Sequence, residues 1–132
     1  MEIRRFRPAD LAGIIRLCEA EGWPSFPSDP ARALRILTAP GVTTMVAVED
    51  DSVIGFAELL SDGELQAYLA NLAVDAGRRG AGIGRRLVQE TLRAAGGERV
   101  DLLSEKAAAG FYRSFPHFEE PGFRLYPFHR GS

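Results

Sequence analysis

The chain has 132 residues and a mass of 14.4 kDa, which is room for one domain with one core. Its 45% hydrophobic content supplies that core, so a disordered chain and a metal-stapled miniprotein are excluded. With 16 basic and 18 acidic residues the net charge is -2, which gives no bulk electrostatic reason to bind nucleic acid or an anionic membrane.

The cysteine content and the N-terminus bear on the compartment. Cys18 is the only cysteine, which excludes a disulfide framework and any multi-cysteine metal site. The start, residues 1–5, is not followed by the apolar segment of a signal peptide, and no stretch approaches the roughly 18 apolar residues of a membrane span. The sequence therefore predicts a cytoplasmic protein without a metal or a membrane partner.

The first forty residues predict one strand and two helices. Residues 2–6 form the strand. An apolar stripe at helical spacing follows, made up of Leu11, Ile14, Ile15 and Cys18. We expect this helix to end at Gly22 and the second to begin with Asp29 as N-cap and Pro30 in its first turn. The linker 22–27 contains two prolines, which argue against regular structure there.

The middle of the chain predicts an antiparallel meander. Three β-rich runs are separated by short turns, at residues 43–48, 53–60 and 65–74. Connections this short join antiparallel neighbours.

The remainder predicts a helix after a glycine-rich stretch, a strand and a short helix. The glycine-rich stretch is 77–84, the strand 100–103 and the short helix 107–115. A hairpin-like tail then runs to Phe128.

The glycine-rich stretch is the most informative segment, because a strand runs into it and a helix follows at once. Backbone N–H groups at a helix N-terminus have no intrahelical partner and can hold phosphate oxygens. Glycines remove the Cβ atoms that would obstruct the approach. Nearby arginines are expected to add positive charge, namely Arg78, Arg79, Arg85 and Arg86.

Two familiar phosphate loops do not fit. The P-loop requires a lysine that this stretch lacks, since the only lysine is Lys106. The dinucleotide fingerprint G-x-G-x-x-G fails because its third glycine would be Arg85 or Leu87, depending on the register.

The segment Arg79–Gly84 does match the pattern [RQ]-x-x-G-x-[GA], and here the chain resembles the GNAT superfamily of acyl-CoA-dependent N-acyltransferases. The resemblance extends over almost the whole chain. It implies one α/β (α+β) domain over residues 1–132, with a mixed, mostly antiparallel sheet of six to seven strands. The fourth and fifth strands would splay apart, and about four helices would flank the sheet.

The resemblance also implies a co-substrate, acetyl-CoA. Its pyrophosphate would be held by the loop amides of Arg79, Gly80, Ala81, Gly82, Ile83, Gly84 and Arg85. The pantetheine arm would lie along the preceding strand at Leu72, Ala73 and Val74, where the amide of Leu72 or Ala73 could also polarise the thioester carbonyl. The alternative is a glycine-rich helix entry that binds nothing.

The resemblance supplies one catalytic candidate, Tyr112; the family has no single fixed base, so the base candidates rest on the residues alone. Tyr112 matches the tyrosine that lies near the thioester sulfur in many members, where it could protonate the departing thiolate; the alternative is core packing beside the stripe of Ala108, Phe111 and Phe115. The base would be Glu58 or Glu64 through a water, and each could instead be an ordinary surface carboxylate. The sequence leaves open whether Asn71 lines the acceptor pocket.

Other residues carry weaker expectations. His117 and His129 are expected to be solvated. The linker around Trp23 and Phe26 and the hairpin 123–126 could wall the acceptor site, although both aromatic residues of the linker could instead fill the core. Carboxylates at three positions favour a cationic amine, namely Glu58, Asp62 and Glu64.

Two departures from the family pattern lie near the chemistry. Pro116 and His117 stand where Gly-Phe commonly closes the last helix, and proline cannot supply the left-handed cap. Ser104-Glu105-Lys106 replaces an expected asparagine before that helix, and Ser104 could serve as its N-cap.

The predicted function is transfer of an acetyl group from acetyl-CoA to a primary amine of a small molecule, peptide or protein, by direct attack in a ternary complex. The protein would be a monomer or homodimer without a nucleic-acid partner. The alternative is a non-catalytic acyl-CoA-binding or protein-interaction module of the same fold. Nucleic-acid binding by the arginines is a third hypothesis, which the near-neutral charge disfavours.

Overall fold

The structure, a computed structural model, describes residues 1–129 and divides the chain into two compact units. The first unit is Met1–Asp101 and the second begins at Leu102. The strands are β1 (Glu2–Arg5), β2 (Val42–Glu49), β3 (Ser52–Ser61), β4 (Gln66–Val74) and β5 (Arg99–Asp101). The α-helices are α1 (Leu11–Glu21), α2 (Ser25–Ser28), α3 (Pro30–Leu37), α4 (Ile83–Ala95) and α5 (Ala109–Arg113). Short 3-10 turns occupy Pro8–Asp10, Ala76–Arg78 and Lys106–Ala108.

The first unit is a sheet with helices on both faces. The strand order is β1-β2-β3-β4-β5, with antiparallel pairs up to β4 and a parallel β4–β5 pair. On one face Phe56 of β3 packs in the core with side chains of α1, α2 and α3. On the other face Leu87 of α4 lies close to Gly55 of β3. A Cβ added to Gly55 would lie 3.0 Å from Cδ1 of Leu87. Consecutive strand residues face opposite sides, so the sheet is a shared middle layer.

The predicted fold class is confirmed, but the predicted number of strands is wrong. Residues 1–129 contain five strands, not six to seven. The predicted hairpin 123–126 contains no strand. Three prolines lie on either side of it, at Pro116, Pro121 and Pro127. A proline has no N–H group to donate to a neighbouring strand. Large side chains there are exposed, namely Phe118, Phe123, Leu125, Tyr126 and Phe128.

The linker expectation is also wrong, since α2 forms within it. Pro24 is the N-cap residue of α2, and Pro27 lies inside its single turn. First-turn N–H groups need no intrahelical acceptor, so proline is tolerated at these positions. The described residues thus hold five α-helices rather than about four.

Several helix ends match their sequence signals, and others differ. Gly22 is the C-cap residue of α1, and Asp29 caps α3 by accepting a 3.1 Å bond from the amide of Arg32. Helix α5 ends at Arg113, earlier than residue 115. Ser104 is not a cap, because its hydroxyl donates to the carbonyl of Glu105.

Candidate functional site

The fourth and fifth strands fork as predicted. β5 pairs with only the first three residues of β4, Gln66 to Tyr68. From Leu69 to Val74, β4 pairs with β3 on one side and with no described strand on the other. Backbone groups of a strand point alternately to its two edges. The fork therefore leaves an open edge that contains the predicted cofactor-contacting residues Leu72, Ala73 and Val74.

A β-bulge lies at the mouth of the fork. Glu58 pairs with Asn71 and Leu59 with Leu69, so Ala70 has no partner across the ladder. A bulge bends a strand and changes the direction of its side chains and amides. This one separates the part of β4 paired with β5 from the open part.

The open edge runs directly into the glycine loop. The Asp75 carboxylate accepts a 3.0 Å bond from the amide of Gly77 and starts the turn that leaves β4. Gly80 and Gly82 have φ of +85° and +81°, a region that other residues rarely adopt. Neither would meet an atom within 4 Å if a Cβ were added. Backbone conformation rather than packing therefore requires glycine at both positions.

Helix α4 begins inside the predicted loop, with Gly82 as N-cap residue and Ile83 as first residue. The first bond across that end is donated by Arg86 to the carbonyl of Gly82, at 3.1 Å. The amides of Ile83 and Gly84 precede this bond, at the positive end of the helix dipole. The loop from Arg79 to Gly82 is exposed, which leaves it accessible to a phosphate group.

The positive charge of the loop is smaller than expected. Arg78 forms an ion pair with Glu49, and Arg79 forms one with Glu21 of α1. Arg79 also donates from Nε to the carbonyl of Val74, at 3.2 Å. These two arginines tie the loop to its surroundings, and carboxylates offset their charges.

Glu58 is not the surface carboxylate that the sequence allows. Only 3% of the residue is exposed, and its Oε1 accepts a 2.8 Å bond from Nδ2 of Asn71. Burial raises the pKa of the Glu58 carboxyl, and the Asn71 bond partly opposes the shift. A raised pKa brings a carboxylate closer to the value that suits a general base at neutral pH.

Cys18 of α1 lies in the core on the same side of the sheet. Burial raises the pKa of its thiol to about 11, and the charge of Glu58 adds to the effect. The thiol is therefore protonated at neutral pH and is a weak nucleophile.

Tyr112 belongs to the second unit, on α5. It is half-buried, and its ring meets that of Phe111 edge-on with centroids 5.0 Å apart. Burial raises the pKa of the phenol, and the charge of Glu105 adds to this. The predicted stripe is only partly buried, since Ala108, Phe111 and Phe115 are all half-buried.

The other candidate residues lie either at the surface or in the core. Glu64 is exposed, as are His117 and His129. Phe26 is buried in the core and Trp23 packs against it, which supports the core-filling alternative for both.

The sequence contained one sign that Glu58 is buried, because this carboxylate interrupts the apolar run 53–60. The pairing with Asn71 and the bulge at Ala70 had no such signal.

Within residues 1–129, no group of three His, Cys, Asp or Glu side chains is placed to hold a metal ion. No helix in that range is long and apolar enough to cross a membrane.

The sequence and fold are similar to those of known acetyltransferases. The sequence profile of the acetyltransferase (GNAT) domain matches residues 40–115. A mycothiol acetyltransferase of Rhodococcus opacus (strain B4) is 34% identical over 89 residues, which is 67% of this chain and 29% of that protein. The chain thus matches less than a third of that relative's length.

Solved acetyltransferase structures have a similar fold over nearly the full length of this chain. The aminoglycoside acetyltransferase meta-AAC0020, from an uncultured soil metagenomic sample, is 27% identical with a TM-score of 0.78, covering 98% of this chain and 96% of its own. The aminoglycoside N-acetyltransferase AAC(6')-Iy, in complex with CoA, shares the fold at 20% identity and a TM-score of 0.75, covering 96% and 94%. The profile match, the forked sheet and the glycine loop together show that this chain belongs to the GNAT acetyltransferase family.

Proposed function

We propose that this chain transfers an acetyl group from acetyl-CoA to a primary amine by direct attack in a ternary complex. The observation that carries the proposal is the continuous path formed by the open edge of β4 and the exposed loop before α4. An amide-bearing arm can add to a strand edge, and a pyrophosphate can bind the amides at a helix N-terminus.

The cofactor contacts follow from this path. The arm would hydrogen-bond the backbone of Leu72, Ala73 and Val74. The pyrophosphate would meet the amides of the loop and of the first turn of α4, contributed by Arg79, Gly80, Ala81, Gly82, Ile83, Gly84 and Arg85. Main-chain donors would make much of this site, because two of the four nearby arginines, Arg78 and Arg79, are already paired with carboxylates.

Glu58 would act as the general base, directly or through one water. The amine nitrogen forms a bond to the thioester carbonyl carbon and loses a proton, which Glu58 accepts. The carbon–sulfur bond then breaks, and the coenzyme leaves as a thiolate that must be protonated. Asn71 orients the carboxylate by its bond to Oε1, and Asn71 itself belongs to the part of β4 that has an open edge.

Tyr112 would supply the proton to the thiolate. A phenol is protonated at neutral pH, the form that an acid requires; because burial raises the pKa of Tyr112 further, the transfer is favoured only where the thiolate also loses its hydration. The products are then the N-acetylated amine and coenzyme A.

Direct attack is favoured over an acyl-cysteine intermediate. Cys18 is the only cysteine, and its buried thiol, with a pKa raised to about 11, lacks the thiolate character of a nucleophile.

The test is thiol release from acetyl-CoA over a panel of small-molecule and peptide amines. We expect release that depends on the amine, together with a mass increase of the acceptor equal to one acetyl group. Binding of coenzyme A without release across the panel would overturn the proposal and favour the non-catalytic module.

A further inference from the structure

An open groove lies on the sheet face that carries Glu58, at the foot of the fork. Its volume is about 450 Å³, within the range of roughly 300–1,000 Å³ for small-molecule sites. All of its lining residues belong to the first unit: Pro40, Gly41, Val42, Leu60, Ser61, Asp62, Gln66, Ala67 and Tyr68.

The floor of this groove is an apolar row across three strands. Val42 of β2 pairs with Leu60 of β3, and Leu60 pairs with Tyr68 of β4. Paired residues share one face of a sheet, and Leu60 is 42% exposed there. The side chains of β2, β3 and β4 thus present a continuous apolar surface to a ligand.

A polar row lies next to the apolar one on the same face. Glu58 precedes Leu60 by two residues, so the two side chains are about 7 Å apart along the strand. Glu58 pairs with Thr44 on one side and Asn71 on the other. On this face of the sheet, the apolar row through Leu60 therefore lies directly beside the polar row through Glu58.

Two polar side chains at the rim of the groove, Asp62 and Gln66, are already hydrogen-bonded within the protein. Asp62, the one charged residue among those lining the groove, accepts bonds from the amides of Glu64, Leu65 and Gln66. The Gln66 side chain accepts from Arg99 and donates to the carbonyl of Ala67. Asp62 is thus the one charge that the groove offers to the several amines of a polycationic sugar.

We infer that the acceptor is a primary monoamine carried on an apolar chain or ring, with its body on the Val42–Leu60–Tyr68 row and its amine directed toward Glu58, which lies one strand repeat beyond the residues that line the groove. The inference rests on the proposed acetyl transfer and names its substrate class. A single amine group that leaves water needs a polar partner, which the Glu58 carboxylate provides, while the apolar body gains free energy by leaving water.

The test is kcat/KM for a series of linear alkylamines from propylamine to octylamine, with phenethylamine, spermidine and an aminoglycoside for comparison. We expect kcat/KM to rise about twofold to fourfold for each added methylene over the length of the groove, mainly through KM. Phenethylamine should exceed both polycations.

Variants localise the effect. Leu60→Asn and Tyr68→Ala should flatten the dependence on chain length, whereas Tyr68→Phe should retain it. Leu65→Asn is the matched control, because Leu65 is 45% exposed but does not line the groove; it should keep the wild-type slope.

The outcomes separate the two proposals. Faster turnover of spermidine or the aminoglycoside, with no dependence on alkyl length, would overturn the substrate class and leave acetyl transfer standing. An unchanged slope in Leu60→Asn would remove the groove from recognition. No thiol release with any amine would overturn the proposed function itself.

Discussion

Asn71 donates a 2.8 Å hydrogen bond from Nδ2 to Oε1 of Glu58, across the β3–β4 pair and beside the bulge at Ala70. The bond fixes the orientation of a carboxylate that burial would otherwise make costly to ionise. It also stands where β4 loses its partner β5. The most buried carboxylate of the site is thus held one strand away from the edge proposed to receive the thioester.

Glu58→Gln should lower kcat by roughly 10²–10⁴, the range for loss of a general base. The variant keeps an acceptor for Asn71, so the fold should persist. Steady-state thiol release measures the effect. Glu64→Gln is the matched control, because Glu64 is exposed; a comparable loss in that variant would transfer the base role to Glu64.

The same substitution should change the pH dependence of stability. Because burial raises the pKa of Glu58 in the folded state, its contribution to stability is complete below the unfolded pKa and is lost as pH rises through the folded one. Glu58→Gln removes that loss. Its Tm should equal or exceed that of the wild type at neutral pH, and the difference should shrink below about pH 4. This account would be contradicted if the Glu58→Gln variant had a lower Tm than the wild type at neutral pH but not at acidic pH.

Gly82→Asp should abolish the rise in Tm that coenzyme A produces by mass action. The carboxylate would stand where we place the pyrophosphate, at a residue with φ of +81°. Gly82→Asn is the control, since Asn and Asp tolerate this backbone region similarly but Asn carries no charge. Thermal unfolding with and without coenzyme A measures both. A full shift in a folded Asp variant would refute the loop assignment.

Arg79→Ala should weaken coenzyme A binding only about fivefold or less, because an exposed charge contact contributes about 1 kcal/mol at most. The guanidinium is engaged by Glu21 and the carbonyl of Val74, and the main-chain donors remain after the substitution. Calorimetric titration with coenzyme A tests this. Complete loss of binding in a folded variant would mean that the side chain dominates.

Tyr112→Phe should lower kcat by roughly 10²–10⁴ if the hydroxyl protonates the thiolate, with little change in KM for acetyl-CoA. The loss should shrink for a thioester whose thiol has a lower pKa, since that thiolate leaves more easily. Tyr126→Phe is the control, because Tyr126 is exposed. An unchanged kcat in Tyr112→Phe would leave Tyr112 with a packing role.

Thr91→Val should raise the free energy of unfolding by about 1 kcal/mol. Thr91 of α4 is fully buried, and among the described side chains its Oγ1 is the buried polar atom without a hydrogen-bond partner. Valine keeps the shape and removes the hydroxyl. Thr91→Ala should instead destabilise, because it also leaves a cavity. Urea unfolding of the three proteins measures the difference, and a Val variant less stable than the wild type would contradict it.

The sequence by itself determined the features that depend on neighbouring residues. Asp29 and Pro30 mark the start of α3, and Gly22 marks the end of α1, because caps act within one turn. The succession of strand, glycine loop and helix from Val74 to Leu87 was likewise readable, since each part has its own local pattern.

Only the tertiary structure decided the features that join distant residues. The bond between Glu58 and Asn71, the ion pair between Arg79 and Glu21 and the apolar row through Leu60 depend on strand register and packing. The hairpin at 123–126 was wrong for a related reason: a strand requires a partner edge, and the local sequence does not show whether one is present. Burial, pairing and open edges are properties of the assembled sheet, because each depends on groups far along the chain.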